Sequence, residues 1–145
     1  MKSTTLRRSN ITREKVAMYF GLQEPNVVFT KNSTEAINLF FRGFLKKGDH
    51  VVVSPYEHNA VLRPLQALRE KNVIEYTVVS PEDLGLSGDA FANKYFNENT
   101  VLLAMTLASN LTGRIVFSKE TVFPWLSVIL LFVLFLSSFK SEAVL

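Results

Sequence analysis

Three short polar segments of this sequence carry the side chains best suited to chemistry. The first contains Ser33 and Thr34, two adjacent hydroxyls that follow a short apolar run and precede a helical pattern. Backbone N–H groups at the start of a helix lack partners within the helix and bind phosphate readily, and the two hydroxyls add donors. The pair is therefore suited to a phosphate site. The alternative is ordinary capping of the helix by these hydroxyls, without a ligand.

The other two segments offer a ring and an amide. His58 follows a second apolar run and stands just before another helical pattern, where its flat ring can lie on an aromatic ligand. Its alternative role is that of a surface residue that caps the helix. Asn110 stands three residues before Gly113, in a segment that is equally typical of an ordinary turn. Taken one at a time, none of the three segments distinguishes ligand binding from local structure.

The composition argues against several other kinds of chemistry. The 145 residues include no cysteine, so the sequence contains no disulfide, thiolate metal ligand or thiol nucleophile, and two histidines are too few for a histidine-rich metal site. The net charge of +3 comes from scattered basic residues, which argues against nucleic-acid binding. No apolar core follows the basic start, which argues against a secretory signal. We expect no metal, no nucleic-acid partner and a cytoplasmic location for the polar part.

Short apolar runs alternate with helical patterns through the first 115 residues. Strands are predicted at 27–29, 51–53, 74–79 and 101–105. Helices are predicted from Thr34 to a stop at Gly48, with Lys46 and Lys47 in the last turn, and at about 61–68 and 89–96. Strands separated by helices predict right-handed crossovers and a mostly parallel sheet, so the fold class is α/β. In such sheets ligands bind at the carboxyl ends of the strands, where the three polar segments would lie.

The composition changes sharply near Val116. Residues 122–139 carry no charge, and as a helix they would reach about 27 Å, close to the ~30 Å hydrocarbon core of a bilayer. We therefore expect two regions, 1–115 and an apolar helical tail at 116–145. Three interpretations of the tail stay open: a membrane anchor, the product of a mispredicted or frame-shifted gene end, and a buried core helix.

The order and spacing of the three polar segments resemble those of the cysteine desulfurase and selenocysteine lyase family, within the class V aminotransferase superfamily. The resemblance covers 12–115 and rests on FTKNSTEAIN at 29–38, EHNAVLRP at 57–64 and ASNLTG at 108–113. It implies part of a fold type I, aspartate aminotransferase-like large domain that binds pyridoxal 5'-phosphate. It further implies a homodimer in the intact family that acts on a cysteine-like amino acid.

The resemblance also implies a role for each polar side chain. Ser33 and Thr34 match the pair that holds the cofactor phosphate. His58 matches the histidine that stacks on the pyridine ring and helps in proton transfer, which makes it the catalytic candidate. Asn110 matches the asparagine near the phenolic oxygen of the cofactor. Asn32 replaces the usual glycine, and asparagine tolerates the left-handed backbone that such a turn needs.

Several residues that the family requires have no counterpart in this sequence. They are an aspartate, a glutamine, the lysine that bonds covalently to the cofactor, a cysteine and an arginine, and residues 116–145 contain nothing like them. The usual opening strand is also missing. We therefore expect a fragment of a class V aminotransferase-like enzyme that is inactive alone. The alternative is a degenerate, non-enzymatic relative that is anchored to a membrane through 122–139 and acts as a binding or interaction protein.

Overall fold

The computed structural model describes residues 4–19, 21, 23, 26–106, 109 and 113. The chain divides into two compact units, Met1–Asn32 and Ser33–Leu145. The first unit contains helix α1 (Thr4–Tyr19). The second contains, in order, α2 (Ser33–Phe44), β1 (Asp49–Val53), α3 (Asn59–Glu70), β2 (Ile74–Val78), a 3₁₀ turn (Pro81–Gly85), α4 (Gly88–Tyr95) and β3 (Thr100–Ala104).

The three strands form a parallel sheet in the order β2-β1-β3. Val51 of the central strand lies opposite Tyr76 on one side and Leu102 on the other, and the pairing with β3 is irregular between His50 and Val51. β1, the first of these three strands along the chain, therefore lies in the middle. One crossover places β2 on one side of β1, and the later crossover places β3 on the other side. The predicted α/β class with a parallel sheet is confirmed.

The side chains of β1 alternate between two apolar clusters, as the two-residue period of a strand requires. Val51 and Val53 pack with Phe41 of α2 and Leu65 of α3 on one face of the sheet. Val52 packs on the other face with a cluster that includes Phe91 of α4. Helices α2 and α3 consequently share one face of the sheet, and α4 covers the other.

The predicted helices and strands of the second unit are found within two to three residues of their expected bounds, with one difference at the end of α2. This helix ends at Phe44, so Lys46 and Lys47 lie beyond its last turn, contrary to the prediction. The chain then reverses at Gly48, which has a φ of 93° and whose N–H donates to the carbonyl oxygen of Val73 at 2.9 Å. The turn that closes the αβ connection therefore lies a few residues after the helix.

The predicted strand at 27–29 is wrong. Val28 and Phe29 are exposed, and within the described residues β1, β2 and β3 pair only with one another. A side chain supplies the partner that a neighbouring strand would have supplied: Arg13 of α1 donates from Nε to the carbonyl oxygen of Val27 at 3.1 Å, and its guanidinium lies 5.7 Å from the centre of the Phe29 ring. An apolar run becomes a strand only where another strand can accept its hydrogen bonds.

The predicted apolar helix at 122–139, and the predicted boundary between 115 and 116, lie outside the described residues. In the part of the chain that the structure describes, no helix combines the length and the apolar character that a bilayer crossing requires.

Candidate cofactor-binding site

Helix α2 begins at the predicted phosphate pair. Ser33 is half-buried and Thr34 is exposed. The N–H groups of this first turn have no partners within the helix, and the helix dipole gives them partial positive charge, so the turn favours an anion. Glu35 places an exposed carboxylate on the same turn, and its negative charge disfavours an anion there. The Ser33–Thr34 hydroxyls and the first-turn amides are thus suited to a phosphate, and the carboxylate of Glu35 weakens that preference.

His58 is the residue that caps α3. Its Nδ1 accepts a hydrogen bond from the backbone N–H of Ala60 at 3.0 Å, and its own backbone is extended, with φ −72° and ψ 152°. The capping role that the sequence left open is therefore present. Because Nδ1 is the acceptor, the neutral ring carries its proton on Nε2. Capping uses the edge of this exposed ring, so its faces are still able to contact a flat ligand.

The topology directs the starts of α2 and α3 toward the same edge of the sheet. His58 lies in the connection that leaves the carboxyl end of β1, so α3 starts there. Helix α2 packs on the same sheet face as α3, and only residues 45–48 separate its last residue from the first residue of β1. The end of α2 therefore lies near the amino edge of the sheet. Helix α2 is about 18 Å long and strand β1 about 16 Å long, so α2 spans the sheet from one edge to the other. The start of α2 therefore points toward the carboxyl edge.

Glu57 is a residue of this region to which the sequence assigned no role. Its Oε1 accepts a hydrogen bond from the hydroxyl of Ser54 at 2.6 Å and another from the backbone N–H of Thr106. Burial raises the pKa of the Glu57 carboxyl, while the bonds from Ser54 and Thr106 and the nearby His58 act to lower it. The sequence could have pointed to Glu57 only through its position directly before His58. Its bond to Thr106 could not be predicted, because Thr106 is 49 residues away along the chain.

Only part of the third polar segment is described. Ser109 is buried, and its carbonyl oxygen accepts a hydrogen bond from the N–H of Gly113 at 2.8 Å. Gly113 has a φ of 69°, a conformation that favours glycine, which agrees with the turn predicted there. Asn110 lies outside the described residues. Among those that are described, no group of three or more histidine, cysteine or acidic residues is arranged to hold a metal.

A parallel sheet whose helices begin at its carboxyl edge, with hydroxyls in one of those first turns, is an arrangement common among α/β domains that bind phosphate groups. The family model of aminotransferase class V matches residues 1–123. The chain therefore belongs to the class V aminotransferase family. Membership of this family indicates that pyridoxal phosphate is the cofactor.

Within this family the chain is similar to cysteine desulfurases. It is 36% identical over 115 residues to a probable cysteine desulfurase of Methanothermobacter thermautotrophicus, with 79% of this chain and 28% of that protein covered. It is 36% identical over 107 residues to the cysteine desulfurase IscS of Photobacterium profundum, with 71% and 26% covered.

A solved structure gives the same result. The chain resembles the apo cysteine desulfurase of Thermococcus onnurineus NA1 with a TM-score of 0.57 and 32% identity, over 70% of this chain and 26% of that one. The chain thus spans about a quarter of the length of these relatives.

Proposed function

We propose that this chain forms the phosphate-binding and ring-contacting part of the pyridoxal-phosphate domain of a cysteine desulfurase-type protein. The observation that carries the proposal is the family match over residues 1–123. The positions of Ser33 and His58, each at the start of a helix on the same sheet face, support it. Residues 1–115 form part of the large domain in this proposal, and residues 116–145 form a separate tail.

The residues of the chain then divide the work of holding the cofactor. The hydroxyls of Ser33 and Thr34 and the first-turn amides of α2 bind the phosphate dianion. The ring of His58 would contact the pyridine ring and could hold or move a proton there, and Asn110 would contact the phenolic oxygen. When bound, pyridoxal phosphate supplies the electron sink for chemistry on an amino acid.

The substrate and the assembly follow from the relatives. A cysteine-like amino acid is the proposed substrate and a homodimer the proposed assembly of the intact protein. We expect no turnover by this chain by itself, because the sequence offers no counterpart of the family's covalent lysine, and a covalent nucleophile is what this chemistry requires. The membrane-anchored, non-enzymatic alternative rests on residues 122–139, which lie outside the described residues.

A binding measurement on the full chain in detergent tests the phosphate site. Deoxypyridoxine phosphate is the probe, because it lacks the aldehyde and so cannot bond to surface lysines. We expect the double substitution Ser33→Ala and Thr34→Ala to raise its dissociation constant about tenfold or more, since two hydrogen bonds to a charged group are lost. Inorganic phosphate should compete with the probe.

Ser87→Ala is the matched control. Ser87 also precedes a helix, α4, but its side chain makes no capping hydrogen bond, so its replacement should leave probe binding unchanged. The phosphate site is contradicted if the double variant binds as tightly as the wild type, or if phosphate does not compete. Release of alanine from cysteine by the purified chain with pyridoxal phosphate would contradict the expected inactivity.

A further inference from the structure

The carboxylate of Glu57 joins two connections that leave the carboxyl edge of the sheet. One is the segment 54–58 between β1 and α3, and the other follows β3. Ser54, which is 1% exposed, donates its hydroxyl to Oε1, and the N–H of Thr106 donates to the same oxygen.

The backbone on either side of Glu57 is held by the same set of bonds. The N–H of Ser54 donates to the carbonyl oxygen of Ala104 at 3.1 Å, which continues the pairing of β1 with β3 by one residue. The Ser54 hydroxyl oxygen also accepts the N–H of Tyr56 at 3.3 Å. The connection that carries His58 is therefore fixed from within, through Ser54, and across the sheet edge, through Thr106.

We propose that Glu57 is a positioning residue that holds the His58 connection against Thr106, just after the end of β3. Its purpose rests on the proposed function: the ring of His58 can contact the cofactor only if the connection that carries it keeps a constant position relative to β3. Glu57 acts through His58 and does not itself contact the cofactor.

The geometry separates this role from a general contribution to stability. Both bonds end on one oxygen, so glutamine can present its amide oxygen there and keep them, whereas alanine loses both. The Ala60 N–H is bonded to His58 and not to Glu57, and its protection therefore reports whether His58 stays in place. Glu70, exposed at the end of α3, provides a matched Glu→Gln control.

Amide hydrogen exchange of the full chain in detergent, without ligand, tests the proposal. In Glu57→Ala we expect the amides of Thr106 and Ala60 to exchange at least tenfold faster, with a smaller change at Val52 in the sheet. In Glu57→Gln and Glu70→Gln the protection of Thr106 and Ala60 should stay within about threefold of the wild type. A tenfold faster exchange is the expected effect of losing one or two hydrogen bonds, and a change within threefold is expected where the bonds are retained.

Three results would overturn the proposal. In Glu57→Ala, unchanged protection of Ala60 would show that His58 is held without the carboxylate. Equal acceleration of all amides, including Val52, would show a loss of global stability and nothing more. In Glu57→Gln, exchange as fast as in Glu57→Ala would show that the oxygen geometry is not what matters.

A parallel titration separates this inference from the proposed function. We expect Glu57→Ala to weaken deoxypyridoxine phosphate binding at least fivefold and Glu57→Gln to leave it within twofold. If the wild type does not bind the probe, the proposed function fails, while hydrogen exchange still decides whether Glu57 positions His58.

Discussion

The Nδ1 of His50 lies 2.7 Å from the hydroxyl oxygen of Thr100, so a buried ring in the central strand is hydrogen-bonded to the strand beside it. Its other nitrogen, Nε2, lies 2.9 Å from the hydroxyl oxygen of Thr77 on the opposite strand. A neutral imidazole offers one donor and one acceptor, and hydroxyls can serve as either. His50, at 6% exposure, therefore links all three strands through its side chain.

Replacement of His50 should destabilise the chain in a pH-dependent way. We expect His50→Ala to lower the free energy of unfolding by about 2–4 kcal/mol at pH 7.5, because two hydrogen bonds are lost and a cavity is left. Burial lowers the pKa of His50 from 6.5, against a smaller opposing effect of Glu75. The stability that the neutral ring contributes is full above pH 6.5 and is lost as the pH falls through the lowered pKa.

The difference in the free energy of unfolding between wild type and His50→Ala should accordingly shrink below about pH 6.5. Urea unfolding from pH 7.5 to 5 measures it. Substitution of the exposed His58 by glutamine provides the control, since it leaves the His50 contribution in place. A gap that does not depend on pH would contradict the prediction.

Glu57 should give a pH dependence of the opposite sign. Because burial raises the pKa of this carboxyl, the folded state favours the protonated form. Its contribution is full below the ordinary value of 4.5 and is lost as the pH rises through the raised pKa. We expect the stability of Glu57→Gln relative to wild type to increase from pH 4 to pH 7 in the same urea experiment. A flat or falling difference for Glu57→Gln would refute the sign.

Truncation of a side chain in helix α2 should reduce the free energy of unfolding strongly at a buried position and little at an exposed one. Phe41 is 1% exposed and packs against β1, so Phe41→Ala should cost about 3–5 kcal/mol of unfolding free energy. Leu39, two residues earlier, is 56% exposed, and Leu39→Ala should cost under about 1 kcal/mol. Thermal or urea unfolding of the two variants measures both, and equal losses would contradict the packing of α2.

Two glycines allow backbone strain to be measured without steric interference. Neither Gly48 nor Gly85 has an atom within 4 Å of an added Cβ, but only Gly48 has a positive φ, of 93°. We expect Gly48→Ala to cost about 1–3 kcal/mol of unfolding free energy and Gly85→Ala less than about 0.5 kcal/mol. Similar costs in urea unfolding would show that the turn at Gly48 relaxes.

The sequence predicts the elements of the second unit well because their signals are local. The apolar residues of α2 recur at helical spacing, and β1 is a run of β-branched residues between polar turns. The same reasoning failed at 27–29, where an equally apolar run has no neighbouring strand within the described residues. It also did not predict α1 (Thr4–Tyr19), because that helix lacks a continuous apolar stripe from which helical spacing could be recognised.

By itself the sequence determined where the helices of the site begin, and so the positions of Ser33 and His58, because capping and periodicity involve residues that are close along the chain. Only the tertiary structure decided the strand order β2-β1-β3, the link from His50 to Thr100 and the link from Glu57 to Thr106. These partners are 50 and 49 residues apart. No local pattern encodes such pairs, because they meet only after the crossovers have brought parallel strands side by side.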